Sequence, residues 1–271
     1  MPDPAELYLD LLQRALTRTG FDDDVVQPFT GAALRHKLAR RLLAGTGAEA
    51  VVRRPADPRA REVGADLPAS AETMVGAKRL QNLRACVESV LRDGVPGDLV
   101  ETGVWRGGAS IFLRGLLAAH GVTDRVVWVA DSFEGLPKPD AERYPADQGD
   151  DHWTRPELAV SLEQVQANFA RYGLLDGQVR FLKGWFKDTL PTAPIEQVAV
   201  ARLDGDLYES TTDALDALWP KVSAGGYVII DDYGAIEACR AATDDFRAAH
   251  AITDELVQID WTGHFWRRSS A

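Results

Sequence analysis

Cysteine and methionine are scarce in this chain, two of each, and histidine is sparse at five. Two thiols far apart, Cys86 and Cys239, are too few for a disulfide framework, and no Cys/His group has zinc-ligand spacing. They read as buried thiols of a reducing compartment. Positive charge is short as well. Lys and Arg number 30 against 41 Asp and Glu, a net charge of -11, which argues against broad binding to nucleic-acid phosphates or an anionic membrane. No apolar run reaches the length of a membrane span. The opening "MPDPAELYLD" lacks the basic-then-apolar pattern of a signal peptide, so a cytoplasmic protein is expected. Neither a G-x-G-x-x-G fingerprint nor a P-loop with its Lys-Ser/Thr is present. What remains is ample for a core: 271 residues, 45% hydrophobic and 26% charged, or one large domain or one domain with an extension.

Two textures divide the chain. Residues 1–95 form a helical, irregular extension: "AELYLDLLQRAL" has helical spacing, Thr46 to Ser70 reads as a mobile connection, and "AETMVGAKRLQNLRACVESVLRDG" is a helix stopping at Gly94. Residues 96–271 alternate strand and helix. "DLVET", "RVVWVAD", "QVRFLKG", "VAVARLDGD" and "GGYVIIDDY" are strands apolar on both faces. Helices from Gly107 to Gly121 and from Glu157 to Gly173, and others at 209–222 and 236–250, separate them. This is an α/β pattern with a parallel sheet covered on both sides. "DELVQID" and "GHFWRR" follow with only "WTG" between them, a terminal antiparallel hairpin.

Ligands of such sheets sit beyond the carboxyl ends of the strands. Those ends carry Glu101 and Gly103, Asp131, Gly184, Asp204 and Asp206, and Asp231 and Asp232. In "VETGVWRGGAS" the carboxylate Glu101 would repel a phosphate and suits a cationic ligand. S-adenosylmethionine, with its ammonium and sulfonium, fits; Gly103 would let the backbone approach it, and Asp131 could accept ribose hydroxyls. Alternatively the glycines make a tight turn and Asp131 with Ser132 caps another. Asp204, Asp231 and Asp232 would repel one another without a cation, and hard oxygen ligands suit Mg²⁺. Asp206, beyond Gly205, could face the substrate as a base, with Gly205 allowing the change of direction. Asp206, Glu209 or Ser210 could equally serve the next helix's N-terminus. The long loop "YPADQGDDHWTRPE" is a candidate substrate lid, with Tyr144, His152 and Trp153 as acceptor contacts.

"LVETGVWRGGAS", "WVADSFEGLP", "RYGLLDGQVRFLKGWFKDTLP", "RLDGDLYEST" and "GGYVIIDDY", in order, closely resemble the macrocin O-methyltransferase family, over roughly Thr73 to Arg268. The resemblance implies a class I methyltransferase (Rossmann-like) fold with a seven-stranded, mostly parallel sheet. It implies S-adenosylmethionine and Mg²⁺, and a glycosylated natural product as small-molecule acceptor, as in antibiotic biosynthesis. It makes Asp204, Asp231 and Asp232 the metal ligands and Asp206 the general base. Glu101, Gly103, Asp131 and Ser132 match the cofactor loops, Gly184 and Trp185 flank the adenine side, and Thr73 and Met74 belong to a segment closing over the cofactor. A homo-oligomer is expected from the long helical N-terminus. The alternatives are a catechol-type methyltransferase on an aromatic diol and a metal-dependent glycosyltransferase reading "DGD" as D-x-D.

Overall fold

The computed structural model describes residues 3–21, 25–28, 41, 43, 46, 51–55, 57–66 and 70–269. Its regular elements run α1 (Pro4–Thr17), β1 (Val25–Pro28), β2 (Val51–Arg54), α2 (Pro58–Val63), α3 (Ala77–Arg92), β3 (Asp98–Thr102), α4 (Gly108–Ala119), β4 (Val127–Asp131), α5 (Leu162–Arg171), β5 (Val179–Lys183), α6 (Phe186–Thr189), β6 (Val198–Leu203), α7 (Tyr208–Leu218), β7 (Val222–Ile230), α8 (Glu237–Ala249), β8 (Val257–Gln258) and β9 (His264–Arg267).

Seven strands form one sheet in the order β5-β4-β3-β6-β7-β9-β8. All pairs from β5 to β7 are parallel, and β7–β9 and β8–β9 are antiparallel. The strands are apolar on both faces, so each face needs a cover. On one, α1, α3 and α4 bring Leu9, Leu12, Leu16, Leu80, Leu83, Ile111 and Phe112 onto the sheet. On the other, α7 and α8 bring Leu215, Leu218, Cys239 and Phe246 against Val100, Ala201, Val228 and Trp266. Helix α1 thus belongs to the same core as the sheet.

Three differences from the sequence pattern have local causes. Within 46–70, the described residues include β2, which pairs with β1, and α2, N-capped by Asp57. The helix expected from Glu157 starts at Leu162, where Ser161 accepts the Gln164 N–H. Strand β8 is only two residues long because Asp260 turns inward, accepting from the Thr262 and Gly263 N–H groups and pairing with Arg79.

The direction in which successive strands are added to the sheet reverses between β3 and β6, which are parallel neighbours although β4 and β5 come between them in sequence. A crevice beyond their carboxyl ends is where such a sheet places a ligand.

Candidate active site

A cleft of about 850 Å³, partly open to solvent, lies at that switch point. It brings together Met74, Gly103, Asp131, Ser132, Gly184, Trp185, Asp204 and Asp206. Thus eight residues singled out from sequence share one cavity, carried on five separate segments. Trp105, Leu158 and Phe186 add apolar wall.

The turn after β3 is fixed by its neighbours. Gly103 has φ +74, and a Cβ there would lie 1.8 Å from the Asp204 carbonyl oxygen. The close approach that demands glycine is therefore to the end of β6, not only to a ligand. Asp131 joins this turn to the next: its Oδ2 accepts the Val104 N–H at 2.7 Å and its Oδ1 the Phe133 N–H at 2.7 Å. Burial raises its pKa and these bonds oppose the rise. Besides these two, the Trp105 N–H and, at 3.4 Å, the Ser132 hydroxyl bear on the same carboxylate. Ser132 closes the following turn, its hydroxyl donating to the Gly135 carbonyl at 2.6 Å.

Beneath the cleft lies a buried charge network. Arg202, next to last in β6 and 2% exposed, reaches Glu101 at 2.6 Å, Asp231 at 2.5 Å and Asp204 at 3.0 Å. Arg79 of α3 pairs with Asp231 and, at 3.1 Å, with Asp260. Glu101 also accepts the Ser110 hydroxyl. It is 1% exposed and points into this network, below the cleft rather than along its wall. Burial pushes its carboxyl up to about 7, against the pull of Arg202. Burial would also raise Asp231, but Arg202 and Arg79 outweigh it and hold this carboxyl below its usual range.

The three remaining carboxylates, Asp204, Asp206 and Asp232, each offer an oxygen within 4.8 Å of the others. Asp206 is pushed up to about 7, by burial first and then by Asp204. Burial and Asp231 raise Asp204; burial, Asp204 and Asp206 raise Asp232 well above the usual range. Asp232 Oδ2 is buried without a hydrogen-bond donor. Mutual repulsion, burial and an undonated oxygen are what a hard divalent cation relieves, so the residues present fit such an ion. The three carboxylates that converge here are not the three expected as ligands. Asp231 has its oxygens taken by two guanidiniums, and Asp206 stands in the cluster instead.

The turn itself also differs. Asp206, not Gly205, takes the left-handed conformation, at φ +56. Neither Glu209 nor Ser210 caps α7, which has no side-chain cap at its own Leu207. Outside the cleft wall, Thr73 is buried and accepts the Val75 N–H. Tyr144 lies against Tyr208, His152 Nδ1 is 2.5 Å from Asp150, and Trp153 is half-exposed under Lys138. Sequence reasoning missed Arg202, Arg79, Trp105 and Asp147. An arginine inside the apolar run "VAVARL" was a usable signal, since a buried cation there demands carboxylate partners.

Sheet order, terminal hairpin and the cleft at the switch point together define a class I methyltransferase, a fold that implies S-adenosylmethionine as methyl donor. The chain belongs to the family described as Macrocin-O-methyltransferase (TylF), whose match spans residues 5–268, and it is an O-methyltransferase. It is 55% identical over 270 residues to the 8-demethyl-8-(2,3-dimethoxy-alpha-L-rhamnosyl)-tetracenomycin-C 4'-O-methyltransferase of Streptomyces olivaceus, covering 99% of this chain and 95% of that protein. It is 51% identical over 270 residues to the mycinamicin III 3''-O-methyltransferase of Micromonospora griseorubida, covering 98% and 97%. The solved structure of the O-methyltransferase NovP superposes with a TM-score of 0.84 at 49% identity, covering 98% of this chain and 100% of that one. The D-x-D glycosyltransferase alternative falls with this membership. Among the described residues, no helix is long and apolar enough to cross a membrane.

Proposed function

We propose that this enzyme methylates a hydroxyl of a deoxysugar carried by an antibiotic-type natural product, with Mg²⁺ at the acidic edge. The observation that carries this is the convergence of Asp204, Asp206 and Asp232 beside the cleft that also holds Met74, Asp131 and Trp185. The sugar acceptor is supported by two relatives named for methylating different sugar positions. When bound, S-adenosylmethionine would supply the electrophilic methyl group and the metal would supply Lewis-acid polarisation at the acceptor.

The chain's own residues do the rest. Asp204 and Asp232 would hold the metal. Asp231 could join them only if Arg79 or Arg202 lets go of it. Asp206 takes the acceptor proton on its carboxylate; its raised pKa suits a base working near neutrality. Asp131, Ser132, Gly103, Gly184 and Trp185 bind and orient the donor. Thr73 and Met74, from the 1–95 extension, close over it and exclude water. Residues 96–271 then form the catalytic unit. Glu101 serves beneath, holding Arg202 in place. Tyr144, His152 and Trp153 belong to the acceptor side. Homo-oligomeric assembly and a cytoplasmic location complete this reading; sedimentation velocity tests the former.

The test is methyl transfer to two demethylated acceptors, the rhamnosyl tetracenomycin and mycinamicin III, with simple catechols as controls. We expect transfer to a glycosylated acceptor, abolished by EDTA and restored by Mg²⁺. Full rate in EDTA would remove the metal, and turnover of catechols alone would remove the sugar.

A further inference from the structure

Helix α7 follows directly on the turn that carries Asp204 and Asp206. The first N–H groups of a helix have no intrahelical partner, and α7 has no cap of its own at Leu207. Two of them are nevertheless satisfied: Tyr208 N–H donates to Asp147 Oδ1 at 2.6 Å and Glu209 N–H to Asp147 Oδ2 at 3.1 Å. Asp147 lies 61 residues upstream of Tyr208 and is 1% exposed. Its carboxylate suits both the free donors and the helix dipole.

Asp147 sits midway along a strap, residues 132–161, fastened on both sides of the cleft. At one end the Phe133 N–H donates to Asp131 at the end of β4, at 2.7 Å, and the Phe133 ring meets Phe181 of β5. Near the other the Trp105 indole N–H donates to the Glu157 carbonyl at 2.8 Å. The Tyr144 and Tyr208 rings meet at 6.0 Å beside the cap. The strap also carries the Asp150–His152 pair, whose charges act on Asp206.

Asp206 needs such external support. A non-glycine residue at φ +56 is strained, and persists where its surroundings over-determine it. On one side it is held by β6. On the other, Leu207 is buried and its N–H bonds back to the Gly205 carbonyl at 2.6 Å, and the next two residues, Tyr208 and Glu209, are held from outside the helix by Asp147.

We propose that Asp147 is a positioning residue for methyl transfer: by capping α7 from the strap, it fixes the direction of the Asp206 carboxylate and joins the acceptor loop to the catalytic turn. This rests on Asp206 being the acceptor's base. Asp147 touches no reacting atom. Its contribution is alignment, where a displacement near 1 Å can cost about 100-fold in rate.

The full-length chain and its D147A, D147N and D206N variants test this. The readouts are amide hydrogen exchange over 204–212, S-adenosylhomocysteine affinity by calorimetry, and kcat and KM with the faster of the two glycosylated acceptors above. For D147A we expect faster exchange at Tyr208 and Glu209, kcat lower by about 10- to 100-fold, and S-adenosylhomocysteine affinity within about twofold. D147N keeps an accepting oxygen and should recover most of kcat, which a general loss of stability would not give. If D147A does not fold, D147S, too short to bridge both amides, should show the same split. An active D206N removes the base and this proposal with it. An inactive D206N beside a fully active D147A overturns the role of Asp147 alone. Parallel loss of kcat and S-adenosylhomocysteine affinity, unrescued in D147N, reduces Asp147 to a structural cap and also overturns it.

Discussion

Gly103 shows how one residue can be set by two demands at once. It lines the cleft and also sits at φ +74, where an added Cβ would overlap the Asp204 carbonyl oxygen. That atom is backbone at the end of a central strand and cannot swing aside. G103A should therefore cost at least about 3 kcal/mol, in the range of severe single changes. G121A is the control: Gly121 has a similar φ, +65, but no atom within 4 Å of its added Cβ, so only the backbone cost of about 1–2 kcal/mol applies. Urea midpoints of the two variants measure the difference; equal midpoints would show that the overlap is relieved by strand movement. The sequence placed glycine here but could not say against what it presses, because Asp204 is a neighbour only once β3 and β6 pair. The same limit applied to Asp206. Its neighbour Gly205 was the natural choice for a reversal of direction, yet the left-handed residue is the aspartate, one of the few types that tolerate it.

At the scale of elements, strand ends were legible because both-face apolarity, helix-stopping glycines and terminal acids all mark them locally. The partners of those acids were not. Arg79 lies 152 residues from Asp231, and nothing in α3 announces that its arginine turns inward. The cap of α7 was hidden for the same reason, since it comes from a loop rather than from the residues before the helix. Strand β6 makes the consequence measurable. All six of its residues are buried, and the single Arg202 guanidinium pairs with Glu101 and Asp204 and shares Asp231 with Arg79. R202M keeps the apolar stem but leaves buried carboxylates unpaired, a change expected to cost about 3–5 kcal/mol. The double variant R202M/E101Q removes one of those charges and should recover part of the loss. Urea denaturation of wild type, R202M and the double variant decides this. No recovery in the double variant would mean that Glu101 takes up a proton once Arg202 is gone.

Across the whole molecule, carboxylates dominate the balance of charge, at a net -11, and several are held against their preference. Glu101 and Asp206 are pushed up to about 7, and Asp213 on the cleft wall to about 6, in each case by burial first. A carboxyl whose folded pKa lies above its unfolded value binds more protons folded than unfolded, so stability falls as pH rises between the two. That window runs from about 4, the unfolded range, up to about 7. Asp231, held down by Arg202 and Arg79, and Asp176, held down by Arg114, act in the opposite sense. Their window lies below the ordinary carboxylate range, so it does not overlap. The metal-free enzyme should melt higher at pH 5.5 than at pH 8, with each kcal/mol worth roughly 2–4 °C at this size. Mg²⁺ binding only the folded state should raise the melting temperature more at pH 8 than at pH 5.5, because at the lower pH it competes with protons for Asp204 and Asp232. Thermal melts at the two pH values, with and without Mg²⁺, test both halves. A melting temperature that rises with pH across this window would show that these carboxyls are ionised and compensated in the folded chain. A Mg²⁺ effect equal at both pH values would place the ion away from them.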